Sequence, residues 1–278
     1  MRKNLLAHIR LAGSSNAKKK SIIKIGNNIA FGGKKIVMMA GPCAVESEDQ
    51  LENIAETLVT AGVKIIRGGV FKARTSPYSF QGLGLNGLKI FSKIAKKNNL
   101  SIITEVLDIR DIEKMLPYCD IFQIGSRNMQ NFALLREIGK LKKAVLIKRN
   151  MSSTIQELLL AAEYVLSNGN PNVILCERGI RTFETETKNT LSLSAIPLIK
   201  EISHLPIIVD PSHATGKKTL VPAMTKAAIA AGADGILIDI HPNPKKALCD
   251  GSQALKPGEF LQLMQKIKPI AWAIGRDI

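Results

Sequence analysis

From Ile36 onward, short runs rich in valine and isoleucine recur eight times, each followed by a segment with the spacing of a helix. The runs are Ile36–Ala40, Lys64–Val70, Ser101–Val106, Ile121–Gly125, Ala144–Lys148, Val173–Cys176, Pro206–Val209 and Gly235–Ile240. Apolar stretches of this length read as strands buried on both faces. Between and after them, Glu48–Ala61, Asn86–Lys97, Arg110–Leu116, Asn131–Lys140, Thr154–Ser167, Asn189–Ile202, Leu220–Ala231 and Gly258–Ile267 carry the helical period. Eight strand-helix units are the count of a TIM barrel, whereas a doubly wound sheet usually has fewer. The expected fold class is therefore α/β, a single (β/α)8 barrel over residues 36–278. Residues 22–33 alternate around a Gly/Asn turn, which predicts a β-hairpin within 21–35 that closes the bottom of the barrel.

Composition excludes several classes. No apolar run approaches the ~18 residues that a membrane span needs. The net charge is +16, but the lysines are spread along the chain, aromatic residues are 4%, and no zinc-finger or RRM pattern occurs. Nucleic acid is thus not the expected partner; a basic surface with a site for small anions is. Cys43, Cys119, Cys176 and Cys249 form no CxxC pair, which argues for a reducing compartment and a cytoplasmic protein. Residues 1–20 read as a basic, disordered leader; their faint amphipathicity keeps an organelle transit peptide as the competing reading.

In a barrel of this kind the chemistry stands just after each strand. Two groups of residues emerge there. Cys43, His213, Asp239 and Asp250 offer a thiolate, an imidazole and two carboxylates. This mixed set suits one divalent metal acting as a Lewis acid, and it admits manganese, iron, cobalt or zinc. Arg67, Lys72, Arg74, Arg127, Lys148 and Arg178 form a cationic ring, which calls for substrates with several negative charges. Some of these cations are expected to pair with Glu105, Glu177 or Asp210, but the acids are too few for all of them.

These residues lie in a series of motifs: Ala40-Gly-Pro-Cys-Ala-Val-Glu-Ser47, Gly69-Val-Phe-Lys-Ala-Arg-Thr-Ser-Pro-Tyr-Ser-Phe-Gln-Gly82, Gln123-Ile-Gly-Ser-Arg-Asn-Met-Gln-Asn131, Cys176-Glu-Arg-Gly-Ile-Arg-Thr-Phe-Glu184 and Asp210-Pro-Ser-His-Ala-Thr-Gly216. In this order they resemble the 3-deoxy-D-arabino-heptulosonate 7-phosphate (DAHP) synthases of class I-beta, from about Ile22 to the last helix. The resemblance implies condensation of phosphoenolpyruvate with erythrose 4-phosphate, the first step of the shikimate pathway. It implies that Arg127 and Arg178 hold the phosphoenolpyruvate phosphate, that Lys148, Lys72 and Arg67 hold its carboxylate, and that Arg74 and Thr75 take the sugar phosphate. Cys43, His213, Asp239 and Asp250 match the family's metal positions, and Glu105 matches a glutamate near the attacking water. Lys148 is the candidate proton-transfer partner for that water. A homo-oligomer, dimer or tetramer, is expected because relatives are commonly tetramers.

Three positions depart from the family: Ala73 replaces a usual proline, Asn150 a usual glycine, and Asp239 a usual glutamate longer by one methylene. Only about forty residues precede Cys43, too few for the regulatory module of many relatives, so no feedback inhibition by tyrosine, phenylalanine or prephenate is expected. The nearest alternative is a 3-deoxy-D-manno-octulosonate 8-phosphate (KDO8P) synthase using arabinose 5-phosphate. Lys72-Ala73 resembles its sugar-phosphate loop, but Arg74-Thr75-Ser-Pro-Tyr follows the DAHP pattern. A catalytically dead basic barrel, serving as a scaffold or binding RNA, is the alternative from a different class.

Overall fold

The computed structural model of the protein describes residues 8–14, 20–26 and 28–278. A two-stranded antiparallel hairpin, β1 (Ile23–Ile25) and β2 (Ile29–Phe31), precedes eight parallel strands: β3 (Val37–Gly41), β4 (Ile65–Arg67), β5 (Ser101–Glu105), β6 (Ile121–Ile124), β7 (Ala144–Lys148), β8 (Val173–Glu177), β9 (Ile207–Val209) and β10 (Gly235–Asp239). These eight close into a barrel in chain order, with β10 pairing β3 so that Asp239 stands opposite Gly41. All eight expected strands are present.

Alternation along each strand divides the apolar residues into two cores. Met39, Ile65, Ile103, Ile121, Leu146, Ile174, Ile208 and Leu237 fill the barrel interior. Their neighbours, among them Ala40, Ile66, Ile102, Phe122, Val145, Leu175, Val209 and Ile238, face the surrounding helices. Each such fully buried Leu or Ile contributes roughly 1.5–3 kcal/mol, so both cores weigh heavily in stability. The hairpin belongs to the interior core: Ile23, Ile29 and the fully buried Phe31 pack against the lowest layer of barrel side chains. It closes the N-terminal end, as its sequence predicts.

Among the described residues the α-helices are α1 (Glu48–Thr60), α2 (Gly84–Lys97), α3 (Ile112–Met115), α4 (Phe132–Gly139), α5 (Ile155–Ser167), α6 (Ala195–Ile202), α7 (Pro211–Thr215), α8 (Val221–Ala230) and α9 (Pro257–Ala273). Caps visible in the sequence set several starts: the Ser47 side chain accepts from the Gln50 N–H, and Thr154 and Glu157 form a capping box. Two lengths differ most from expectation. The helix expected from Asn189 begins only at Ala195, because Thr190 bridges Ile180 and the Asn189 N–H donates to the Ala214 carbonyl, holding that stretch extended. The last helix runs on past Pro269 to Ala273, with Ile267 and Ala271 buried against the core. No helix among the described residues is long and apolar enough to cross a membrane.

Residues 8–14, within the expected leader, pack against the barrel. Ile9 and Ala12 are buried, and Glu163 Oε1 accepts from the backbone N–H groups of Leu11 and Ala12 at 2.7 Å. The segment is tied to α5 through Glu163 and to the end of α6, where Ser203 Oγ donates to the Ala12 carbonyl and Gly13 bridges Ser203. Residues 1–7 and 15–19 lie outside the described residues.

Candidate active site

The parity that fills the barrel interior also delivers the polar groups. Two residues beyond Ile65, Ile103, Leu146, Ile208 and Leu237 stand Arg67, Glu105, Lys148, Asp210 and Asp239, on the same inward face at the C-terminal end. Arg67, Glu105 and Lys148, with the loops that follow the strands, line a cavity of about 370 Å3 at the barrel mouth. Eight cationic side chains line it, the six expected from the sequence plus Arg181 and Lys188, against only two carboxylates, Glu105 and Asp250. Thr75 and His213 also line it. A larger cavity, about 470 Å3, opens at the opposite end beside Lys34, Lys64 and Met264, but no histidine, cysteine or carboxylate side chain lines it.

The inner cations have protein partners. Lys148 Nζ lies 2.5 Å from Asp210 Oδ2, both groups buried. Arg67 Nη1 lies 2.8 Å from Asp239 Oδ1 and donates to the Pro42 carbonyl. Lys72 Nζ donates to the Cys43 carbonyl at 3.0 Å and to Cys43 Sγ at 3.2 Å. Further out, Arg127 donates to the Ala73 carbonyl and Arg74 to Cys249 Sγ. Of the expected pairings, Asp210 does hold Lys148, whereas Glu177 pairs with Arg149 at 2.7 Å and Glu105 accepts from Gln123 at 3.3 Å. Arg178 is different: it is 5% exposed and its buried Nη1 has no hydrogen-bond partner. A buried N–H without a partner costs about 1–3 kcal/mol, a deficit that an anion in the cavity would remove.

Three potential metal-ligating atoms converge at the inner wall. Cys43 Sγ lies 3.1 Å from Asp250 Oδ2 and 3.7 Å from His213 Nε2, and these last two lie 3.7 Å apart. Metal–ligand bonds of about 2.0–2.3 Å require donor atoms roughly 3–4 Å apart, so the set fits one divalent cation. Asp250 reaches this position with φ +52°, a left-handed conformation that Asp tolerates better than most residues. Asp239, expected as a fourth ligand, is not in this cluster. Its Oδ2 accepts from Gln253 Nε2 at 2.6 Å and lies 3.5 Å from His213 Nδ1, the far edge of the imidazole.

The histidine is held from behind. Asp210 Oδ1 caps α7 by accepting from the His213 N–H, Pro211 opens that helix, and Gly216 ends it with φ +68°. Asp210 Oδ2 then lies 2.9 Å from His213 Nδ1 without an aligned hydrogen bond. Burial works against a charged imidazole, but the Asp210 and Asp239 carboxylates outweigh it and raise the His213 pKa. The Cys43 thiol is pushed up by its contact with Cys249 and by burial, against the lowering effect of Lys72; a bound metal ion would favour the thiolate. Its neighbour Cys249, 3.5 Å away, is lowered by that contact and by Lys72 and Arg74.

Sequence reasoning named Asp210 only as a partner for the cations and left Gln253, Lys188 and Cys249 out of the candidate site. Asp210 was visible as the residue between a buried strand and Pro211, the signature of a cap. Gln253 carries no such signal. Lys188, which lies 3.3 Å from Asp250 Oδ1, sits in a loop whose path only the fold defines. His241, two residues after Asp239, contacts Glu46 at 3.1 Å.

Similarity to known proteins agrees with this arrangement. A phospho-2-dehydro-3-deoxyheptonate aldolase of Thermotoga maritima is 49% identical over 255 residues, 92% of this chain and 75% of that protein. The crystal structure of the DAHP synthase from the same organism superposes with a TM-score of 0.93 at 47% identity, covering 96% of this chain and 78% of the other. A 2-dehydro-3-deoxyphosphooctonate aldolase of Geobacter sulfurreducens is more distant, 30% identical over 89% of this chain and 97% of that protein. The DAHP synthetase I family matches residues 16–275, and this chain belongs to it.

Proposed function

We propose that this protein condenses phosphoenolpyruvate with erythrose 4-phosphate to give DAHP and inorganic phosphate. The observation that carries the reading is the anion-seeking mouth: eight cations against two carboxylates, with buried Arg178 Nη1 unpartnered. The 49% identical relative bears the name of this activity, while the octulosonate relatives stand at 30%. The Arg74-Thr75-Ser-Pro77 stretch supports the four-carbon aldose over arabinose 5-phosphate, and the barrel of residues 36–278 is the catalytic unit.

In this reading Arg178 and Arg127 hold the phosphate of phosphoenolpyruvate, Lys148, Lys72 and Arg67 its carboxylate, and Arg74 and Thr75 the phosphate of the aldose. Cys43, His213 and Asp250 would hold a divalent cation, which when bound polarises the aldehyde carbonyl. C3 of phosphoenolpyruvate bonds to the aldehyde carbon, whose oxygen takes a proton. Water adds to C2, and the C–O bond to phosphate breaks. Lys148 and Glu105 handle the proton of that water, and the cationic ring stabilises the departing phosphate. The reading also takes the protein as a cytoplasmic dimer or tetramer.

Phosphate release from phosphoenolpyruvate, assayed with each aldose after chelation and metal add-back, tests the proposal. Release is expected only with erythrose 4-phosphate and restored metal. Equal or faster release with arabinose 5-phosphate would move the assignment to the octulosonate synthases, and no release with either would leave the dead-barrel reading.

A further inference from the structure

The fully buried Asp239 ends the strand that supports the candidate metal centre, yet its carboxylate is committed elsewhere. Oδ2 accepts from Gln253 Nε2 at 2.6 Å, and the buried Oδ1 lies 2.8 Å from Arg67 Nη1 in an ion pair without an aligned hydrogen bond. Asp239 Oδ2 lies 3.5 Å from His213 Nδ1, whereas Nε2 is the nitrogen that faces Cys43 and Asp250. Its backbone has little freedom to advance: the Asp239 N–H donates to Ser212 Oγ, the Asp239 carbonyl accepts from the Leu255 N–H, and the register holds it against Gly41. Drawing the carboxylate forward would also leave a buried guanidinium uncompensated, which is strongly unfavourable.

We propose that Asp239 stays outside the coordination sphere and acts as a positioning residue for Arg67, leaving the cation three protein ligands: Cys43, His213 and Asp250. The proposal deepens the functional reading above and rests on it only in requiring that a metal binds. One coordination position more than a four-ligand centre would offer is then open to water or substrate. Arg67, in turn, meets a substrate as half of a neutral pair, so the net positive charge at the inner wall comes from the other cations.

The test is a titration of the chelated protein with Co2+, following the d–d and thiolate-to-cobalt absorption bands and competing with a chelator for affinity. Asp239→Asn should keep the parental spectrum and bind within about tenfold of the parent, the smaller effect of an outer-sphere change. Asp250→Asn should alter the spectrum and lose more than a hundredfold in affinity. Asp239→Glu adds the methylene needed to reach the metal: its d–d bands should weaken as coordination number rises, and its affinity should increase at least tenfold. Spectral change in a folded Asp239→Asn equal to that in Asp250→Asn would overturn the proposal. So would an Asp239→Glu spectrum and affinity matching the parent. Should Asp239→Asn fail to fold with Arg67 unpaired, Asp239→Glu keeps the charge and decides alone. No turnover is read, so failure of the proposed reaction would leave the result standing.

Discussion

Lys148 Nζ and His213 Nδ1 share one oxygen, Asp210 Oδ2, at 2.5 and 2.9 Å. A lysine at the end of β7 and a histidine in α7 are thereby tied to a single counter-ion, buried at the base of the cavity. The lysine that handles the proton in the proposed reaction and the imidazole that would bind metal cannot move independently.

Asp210 should therefore mark the acid limit of the protein. Burial raises its pKa, but the charges of His213 and Lys148 outweigh that and hold it well below the usual carboxylate range. Its stabilising contribution is fully present above an unfolded-state value of about 4 and is lost as pH falls through the lowered folded value. Asp210→Asn should cost about 3 kcal/mol at pH 7, as breaking a buried pair does. Its thermal midpoint should then fall less steeply than the parent's as pH is lowered through 4. Parallel midpoint-versus-pH curves would contradict this account.

Arg178 offers a case in which binding and stability part. Removing a charge-assisted hydrogen bond to substrate costs about 1.5–3 kcal/mol, so Arg178→Met should lose roughly ten- to hundredfold in kcat/KM for phosphoenolpyruvate. Because Nη1 has no partner in the folded chain, the same variant should be no less stable than the parent. Steady-state kinetics and a denaturant titration check the two halves separately.

Gly125 lies against the candidate water-handling carboxylate, Glu105. A Cβ there would stand 1.8 Å from Glu105 Oε1, so Gly125→Ala must displace that side chain. Loss of a positioned acid-base group predicts a fall in turnover of about hundredfold or more. The displaced atom is the end of a flexible side chain, so the melting temperature should change little. Undiminished turnover would remove Glu105 from the reaction.

The hairpin can be tested as part of the core. Phe31 is fully buried in the same cluster as the barrel interior. Phe31→Ala should then cost about 3–5 kcal/mol in urea denaturation, the usual range for a large aromatic lost from a core. A hairpin merely resting on the barrel would lose less than 1 kcal/mol.

Much of this protein is local pattern, and that much is legible in the chain alone. Strands such as Ala144–Lys148 announce themselves through continuous apolar runs, and their alternation carries the interior parity upward from Leu146 to Lys148 and from Ile208 to Asp210. Caps at Ser47 and Thr154 mark where helices begin, and the motifs from Gly41-Pro-Cys43 to Asp210-Pro-Ser-His213 name the family. What the chain alone left undecided depends on distances between remote segments. Cys43 and Asp250, 207 residues apart in sequence, meet at 3.1 Å because β10 closes the barrel against β3. Asp239 carries the right chemistry for a ligand, but its single methylene and its contacts with Arg67 and Gln253 turn it away from that meeting point. Residue type and parity are properties of the strand itself. The direction of a carboxylate is decided by the partners that tertiary structure supplies, because a buried charge goes where it is compensated.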